Sequence, residues 1–163
     1  EESGISRMVC ECLPLTPSAR STPQATTADD LDRMAAMDQR MLGVSRRSVL
    51  AALLERAPAS AWTLRAGASL RAACFGRDGS HYHQVGPVIA DSLDDATAVA
   101  GKALHNLVGH AIGVDVPDAQ AGMKEWLSAR GFMVQRPFLR MVRGKNIAGA
   151  PSRLYATGGP DLG

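Results

Sequence analysis

The residues His81-Tyr82-His83-Gln84-Val85-Gly86-Pro87-Val88-Ile89-Ala90, followed directly by Asp91-Ser92-Leu93-Asp94-Asp95-Ala96, decide how this chain is read. The first ten form a predicted strand ending near Ala90. The rest open a long helix capped by Ser92, in which Leu93, Ala96, Val99, Ala100, Ala103, Leu104, Leu107 and Val108 recur at helical spacing. A strand that runs straight into a helix N-terminus points free backbone amides at one spot, where an anion or a cofactor phosphate can be held.

Downstream, Gly109 ends the helix and His110 to Val116 is a short apolar strand closed by Pro117. Two strands joined by a helix, with no tight turn, imply parallel pairing and a right-handed crossover. A further helix is expected from Ala119 to Ala129, with Met123, Trp126 and Leu127 inward and Gly131 as its cap. Phe132 to Val142 reads as a long strand, which Pro137 assigns to a bulge or a sheet edge. After a loop at Gly144 to Pro151, Arg153 to Thr157 reads as a last strand.

Upstream, Ala61 to Arg65 and Leu70 to Phe75 are strands, and Gly76-Arg77-Asp78-Gly79 is a predicted hairpin turn, so three strands form an antiparallel meander. Before them lie two helices. The first opens at Thr26 to Asp30 and buries Leu31, Met34, Ala35, Met41 and Leu42. It ends at Gly43. The second runs from Arg46 to Arg56 behind Ser45, with Val49, Leu50, Leu53 and Leu54 inward. Asp38 falls on the apolar stripe of the first helix, so it needs a partner, and Arg46 is the candidate. Pro14, Pro17 and Pro23, among Ser and Thr, give 14–24 the composition of a linker. Ile5 to Leu13 is a short strand before it. The whole predicts an α/β (α+β) domain: a mixed, mostly antiparallel twisted sheet with helices on both faces.

Bulk properties narrow the classes. The chain has 163 residues, 45% hydrophobic and 21% charged, with formal net charge +2. That suits one domain with a core and gives no push toward nucleic acid. Aromatic residues are too few for a base-stacking platform. No run of about 18 apolar residues exists, so no membrane span is expected. The acidic, polar start at Glu1-Glu2-Ser3 is unlike a signal peptide, so a cytoplasmic location is expected. Cys10, Cys12 and Cys74 lack framework spacing, which argues against a disulfide scaffold, and Cys10 and Cys12 would share a strand face. His81 and His83 also share a face but have no third ligand in suitable spacing, so no metal site is expected.

The order of elements resembles the GNAT acyl-CoA N-acyltransferase superfamily. Gly86-Pro87-Val88-Ile89-Ala90 with the following helix, Ile112-Gly113-Val114-Asp115-Val116-Pro117, and Gly131-Phe132 carry the resemblance. Asp38-x4-Gly43-x2-Arg46, Arg136-Pro137-Phe138-x-Arg140-Met141 and Gly158-Gly159-Pro160 are similar to the C-terminal domain of tandem GNAT proteins. The resemblance implies that residues 25–163 are a GNAT-like acyltransferase domain. It also implies that residues 1–13 are the terminal strand of a preceding GNAT domain, joined by the linker at 14–24.

The resemblance further implies acetyl-CoA as acyl donor and a small-molecule amine as acceptor. Acetyl-CoA would bind through the backbone of Val88, Ile89 and Ala90, the helix start at Ser92 and Leu93, and Gln120. Asp115, at the end of its strand, would be the base that takes the amine proton, with Asp38 as a second catalytic carboxylate. Arg46, Arg136 and Arg140 would meet the substrate or the partner domain. An upstream GNAT domain and a second copy in a homodimer are the implied protein partners.

Two departures keep a second reading open. The superfamily's phosphate loop has the form Gln/Arg-x-x-Gly-x-Gly/Ala, whereas Asp91 to Ala96 has three carboxylates, no glycine and no cation. Ser92 and Asp95 also form a Ser-x-x-Asp arrangement that would use the same amides. The tyrosine that can protonate the leaving thiolate is replaced by Leu127. The first reading is an N-acetyltransferase. The alternative is a catalytically silent GNAT-like domain that shapes the substrate pocket or the dimer for an active first domain.

Overall fold

The computed structural model describes residues 2–14, 22–141, 150–160 and 162. Of the expected linker at 14–24, residues 15–21 lie outside the described residues. The elements in order are β1 (Glu2–Cys10), β2 (Gln24–Ala25), α1 (Leu31–Leu42), α2 (Arg47–Arg56), β3 (Trp62–Ala66), β4 (Ser69–Arg77) and β5 (His83–Ala90). Then follow α3 (Leu93–His105), β6 (Ile112–Pro117), α4 (Ala121–Ser128), β7 (Met133–Met141) and β8 (Leu154–Ala156). One sheet runs β2-β3-β4-β5-β6-β1-β7, and β8 pairs with β5 off that path. β5 and β6 are parallel, and the other paired strands are antiparallel.

The pleat of β4 divides the core in two. Ala72 and Cys74 face α3, where they meet Ala96, Val99, Ala103 and Leu104 together with Val88, Ala90 and Val114. Ala73 and Phe75 face the other way, onto Leu31, Met34, Leu50 and Leu53 of α1 and α2. Each large apolar side chain so buried contributes roughly 1.5–3 kcal/mol. Burial pushes the Cys74 thiol well above its ordinary range, so it packs as a small apolar residue and is no nucleophile. Helix α1 ends because Gly43 takes a left-handed conformation (φ 76°) and its amide bonds back to Gln39.

Two local readings change. The turn expected at Gly76 to Gly79 lies further on. Strand β4 continues through Gly76 and Arg77, which pair with Val85 and Gln84. Gly76 serves close packing, because a Cβ there would press on the side chain of Ser60. Cys10 and Cys12 do not share a face: β1 ends at Cys10, which is buried, while Cys12 is exposed.

The stretch expected to be the terminal strand of a preceding domain is a strand of this sheet. β1 pairs with β6 from Ile5↔Pro117 to Cys10↔Ile112, and with β7 from Glu2↔Met141 to Val9↔Met133. The physical reason is burial: Met8, Cys10 and Leu13 belong to the core under α3 and α4. β7 meets the rest of the sheet only through β1 in this strand order, and forms its edge, as Pro137 predicted. On the α4 side, Ser6 donates to Asp118 (2.7 Å), and Lys124 bonds both. The Lys124 and Ser6 hydrogen bonds hold the Asp118 carboxyl below its ordinary pKa.

Candidate functional site

β5 and β6 pair only at His83↔Ile112 and Gln84↔Gly113, after which they separate. The gap is the place where the sequence reading put a cofactor against Val88, Ile89 and Ala90. The chain fills it with its own C-terminal segment. β8 pairs with β5 at Val88↔Ala156 and Ile89↔Leu154, and the Thr157 N–H donates to the Asp115 carbonyl of β6 at 2.8 Å. On their other edge, Val88, Ile89 and Ala90 pair with Cys74, Ala73 and Ala72. Residues 154–159 are all buried.

Gln120, expected to contact the cofactor, and Asp91 bond to this segment instead. The Gln120 amide donates to the carbonyls of Ser152 (2.7 Å) and Leu154 (3.1 Å). Asp91, where the strand ends, pairs with Arg153 at 3.1 Å. Leu93 packs its side chain beside Gly122 of α4, where a Cβ would press against it. Gly86 is the residue that lets β5 pass so close. Its φ is 145°, and a Cβ there would collide with the backbone oxygen of Thr157.

The start of α3 is occupied as well. Ser92 Oγ accepts from the Asp95 amide (3.2 Å) and donates to the Asp95 carboxylate (2.8 Å). That carboxylate is buried and accepts a second bond of 2.7 Å from Arg71. Asp94 and Asp95 stand in the first turn, where the helix dipole favours negative charge, so the dipole's demand is met from within the chain.

Asp115 stands at the expected gap, but not as a free base. Arg7 of β1, its cross-strand neighbour, donates to both oxygens at 2.7 Å, and Asp115 is 1% exposed. A bidentate pair of this kind commits one lone pair of each oxygen to the guanidinium. The expected base is thus one half of an ion pair. Asp38, the second expected catalytic carboxylate, is fully buried and clamped by Arg46 through bonds of 2.9 and 2.6 Å. Arg46, expected to meet the substrate or the partner domain, is the partner of Asp38 and also bonds the Leu162 carbonyl. Arg136 and Arg140 do sit on the sheet face that carries Arg7, as the pairs Arg7↔Arg136, Ile5↔Phe138 and Ser3↔Arg140 require.

The residue most needed and not foreseen is Arg7. It lies in the stretch read as outside the domain, and only the sheet brings it to Asp115. Likewise β8 was foreseen as a strand, but nothing in its sequence gives its position. A period-2 pattern records which face is buried, not which strand lies alongside.

The sequence profile of the acetyltransferase (GNAT) domain family matches residues 34–156. The chain belongs to the GNAT acetyltransferase family. Solved structures agree on the fold. A proposed acetyltransferase of Pyrococcus horikoshii superposes with TM-score 0.71 at 18% identity, covering 99% of this chain and 52% of that one. A GCN5-related N-acetyltransferase of Sphaerobacter thermophilus gives 0.59 at 15% identity, over 91% and 53%. A GNAT-family acetyltransferase of Colwellia psychrerythraea gives 0.59 at 11%, over 85% and 55%. The chain thus spans about half the length of these neighbours. No curated protein matches it.

GNAT acetyltransferases generally use acetyl-CoA. The residues of this GNAT domain do not fit that group. Both backbone edges at Val88 and Ile89 are paired, Gln120 is bound to the C-terminal segment, and the helix start presents carboxylates to where phosphates would lie.

The plug has a pH signature. Burial, helped by the charge of Asp95, raises the Tyr155 phenol above its ordinary value, against a smaller opposing effect of Arg153. The unfolded chain's phenol ionises near pH 10 while the folded one stays protonated. The stability this gives is full below about pH 10 and is lost as pH rises through the folded value. Tyr155→Phe is therefore expected to flatten the alkaline limb of the stability profile. Denaturant melts from pH 8 to 11.5 check this, and equal slopes for both proteins would refute it.

Proposed function

We propose that this chain is an acyl-CoA-silent GNAT domain whose donor cleft is closed by its own β8. It works by shaping a substrate pocket, or a subunit interface, for an active GNAT domain that supplies acetyl-CoA chemistry and acts on an amine. One observation carries this reading: β8 takes the backbone edge of β5 that a GNAT donor site needs. The bidentate Arg7–Asp115 pair and the acidic start of α3 support it from two other sides.

The placement of β1 supports the tandem arrangement. A strand ahead of the linker, threaded between β6 and β7, is what a preceding domain would contribute to its neighbour. The neighbours' length, about twice that of this chain, supports it too.

Calorimetric titration with acetyl-CoA, compared with adenosine 3′,5′-bisphosphate, is the test. Acetyl-CoA is expected to give no saturable heat beyond that of the nucleotide, and no thermal shift. A ligand at a hundred times its dissociation constant would add about 2.7 kcal/mol, which a melt detects readily. Pantetheine-dependent saturable heat would overturn the reading.

A further inference from the structure

A cavity of about 600 Å³ opens beside the N-terminal end of β5, away from the plugged gap. Its walls include Arg7, Tyr82, Gln84, Gln135 and Arg136. That volume suits a small molecule rather than a macromolecular surface. Three observations set the chemistry it would accept.

First, Arg7 and Arg136 are direct cross-strand neighbours, and like charges placed so repel. The Arg7 charge is offset by Asp115. Among the described residues, the contact recorded for the Arg136 guanidinium is the Phe138 ring, at 4.7 Å, which Arg7 also approaches at 5.1 Å. A ring can pre-orient a guanidinium, but it does not neutralise it. Second, Gln84 is 6% exposed and its amide nitrogen is sealed from solvent, so the wall opens to the cavity through the exposed side chains of Gln135 and Arg136. Third, the wall sets one acidic residue, Glu11, against Arg7, Arg77 and Arg136, and Glu11 is tied back by a hydrogen bond. Glu11 accepts from Tyr82 (2.9 Å), and Tyr82 accepts from Gln135 (3.0 Å). Gln135 reaches this chain of bonds because β7 bulges there, with Arg7 opposite Arg136 and Met8 opposite Val134.

We infer that this cavity binds a small anion bearing a carboxylate or phosphate group, held by Arg136. The site stands apart from the plugged gap, so it does not depend on whether the domain binds acetyl-CoA.

The test is a titration of the whole 163-residue chain with inorganic phosphate and, separately, succinate, followed by amide NMR shifts. Saturable shifts are expected at Ser80, Gln84 and Gln135, and the tighter of the two probes names the group. Arg136→Ala is expected to weaken binding about tenfold or more, the loss of one charge-assisted hydrogen bond. Arg140→Ala, which removes a charge from the same sheet face but not from this cavity, should leave binding unchanged. No saturable shift with either anion, or equal affinity in the Arg136→Ala chain, would overturn the inference. So would an Arg140→Ala loss as large as that of Arg136→Ala, which would reduce the effect to general surface charge.

Discussion

Replacing Arg46 by Ala is expected to lower the unfolding free energy by about 3–5 kcal/mol. Asp38 is fully buried in α1, and both its oxygens receive bonds from Arg46. Without the guanidinium, an ionised carboxylate remains in the core with neither water nor a counter-charge. Two further features sharpen the expectation. Arg46 also holds the carbonyl of Leu162, so its loss releases the far end of the C-terminal segment. And the pair is local in sequence, eight residues apart, so it organises the α1–α2 corner around Gly43. The double replacement Asp38→Leu with Arg46→Met removes both charges and should recover most of the loss, since apolar groups of similar volume often replace buried pairs at little cost. Urea denaturation of the single and double variants measures this. A single variant within 1 kcal/mol of the parent would mean that Asp38 is not sealed as the structure has it.

The second large effect is expected at Gly86. Gly86→Ala places a methyl group against the backbone oxygen of Thr157 and forces a side chain onto φ 145°. Such backbone strain costs about 1–3 kcal/mol alone, and the collision adds to it, so a loss of about 3 kcal/mol or more is expected. The partner in the collision is the C-terminal strand, which gives a specific control. In a chain ending at residue 150, Gly86→Ala should cost only the backbone strain, because Thr157 is gone. That shortened chain should itself be weaker. It loses the burial of Leu154 and Tyr155, roughly 3–6 kcal/mol by area. It also leaves one edge of Val88 and Ile89 unpaired. Limited proteolysis offers an independent readout: Gly86→Ala should make the segment after Ala150 more readily cleaved. An equal cost of Gly86→Ala in the long and short chains would show that β8 does not press on β5 at this point.

These two expectations bear on different questions. The Arg46 result concerns how a carboxylate on an apolar helix stripe is tolerated. The Gly86 result concerns what occupies the gap between β5 and β6, which is where the proposed loss of donor binding originates. A chain that tolerates Gly86→Ala fully would weaken the plug argument even if acetyl-CoA gave no heat.

Much of this was legible in the chain itself. The stretch from Val88 to Ala96 announces a strand, a capped helix and an acidic first turn, and Ser92 does cap α3 through Asp95. Asp38 on an apolar stripe calls for a cation, and Arg46 supplies it. Local spacing suffices for such statements, because helix periodicity, caps and ion pairs a few residues apart are set by neighbours along the chain. The GNAT order of elements follows from the same local signals taken in sequence.

What the tertiary structure alone decided is which distant segments share the gap. Arg7 and Asp115 are 108 residues apart, and their pairing turns a candidate base into one half of a closed ion pair. β8 is too short to state its partners, and only the separation of β5 from β6 leaves a slot that it fits. Both facts arise from strand pairing between remote segments, whose backbone hydrogen bonds carry no residue-specific code. The acidic helix start was visible in the sequence as a reason why a phosphate would be unwelcome; the strand lying across Val88 and Ile89 was not.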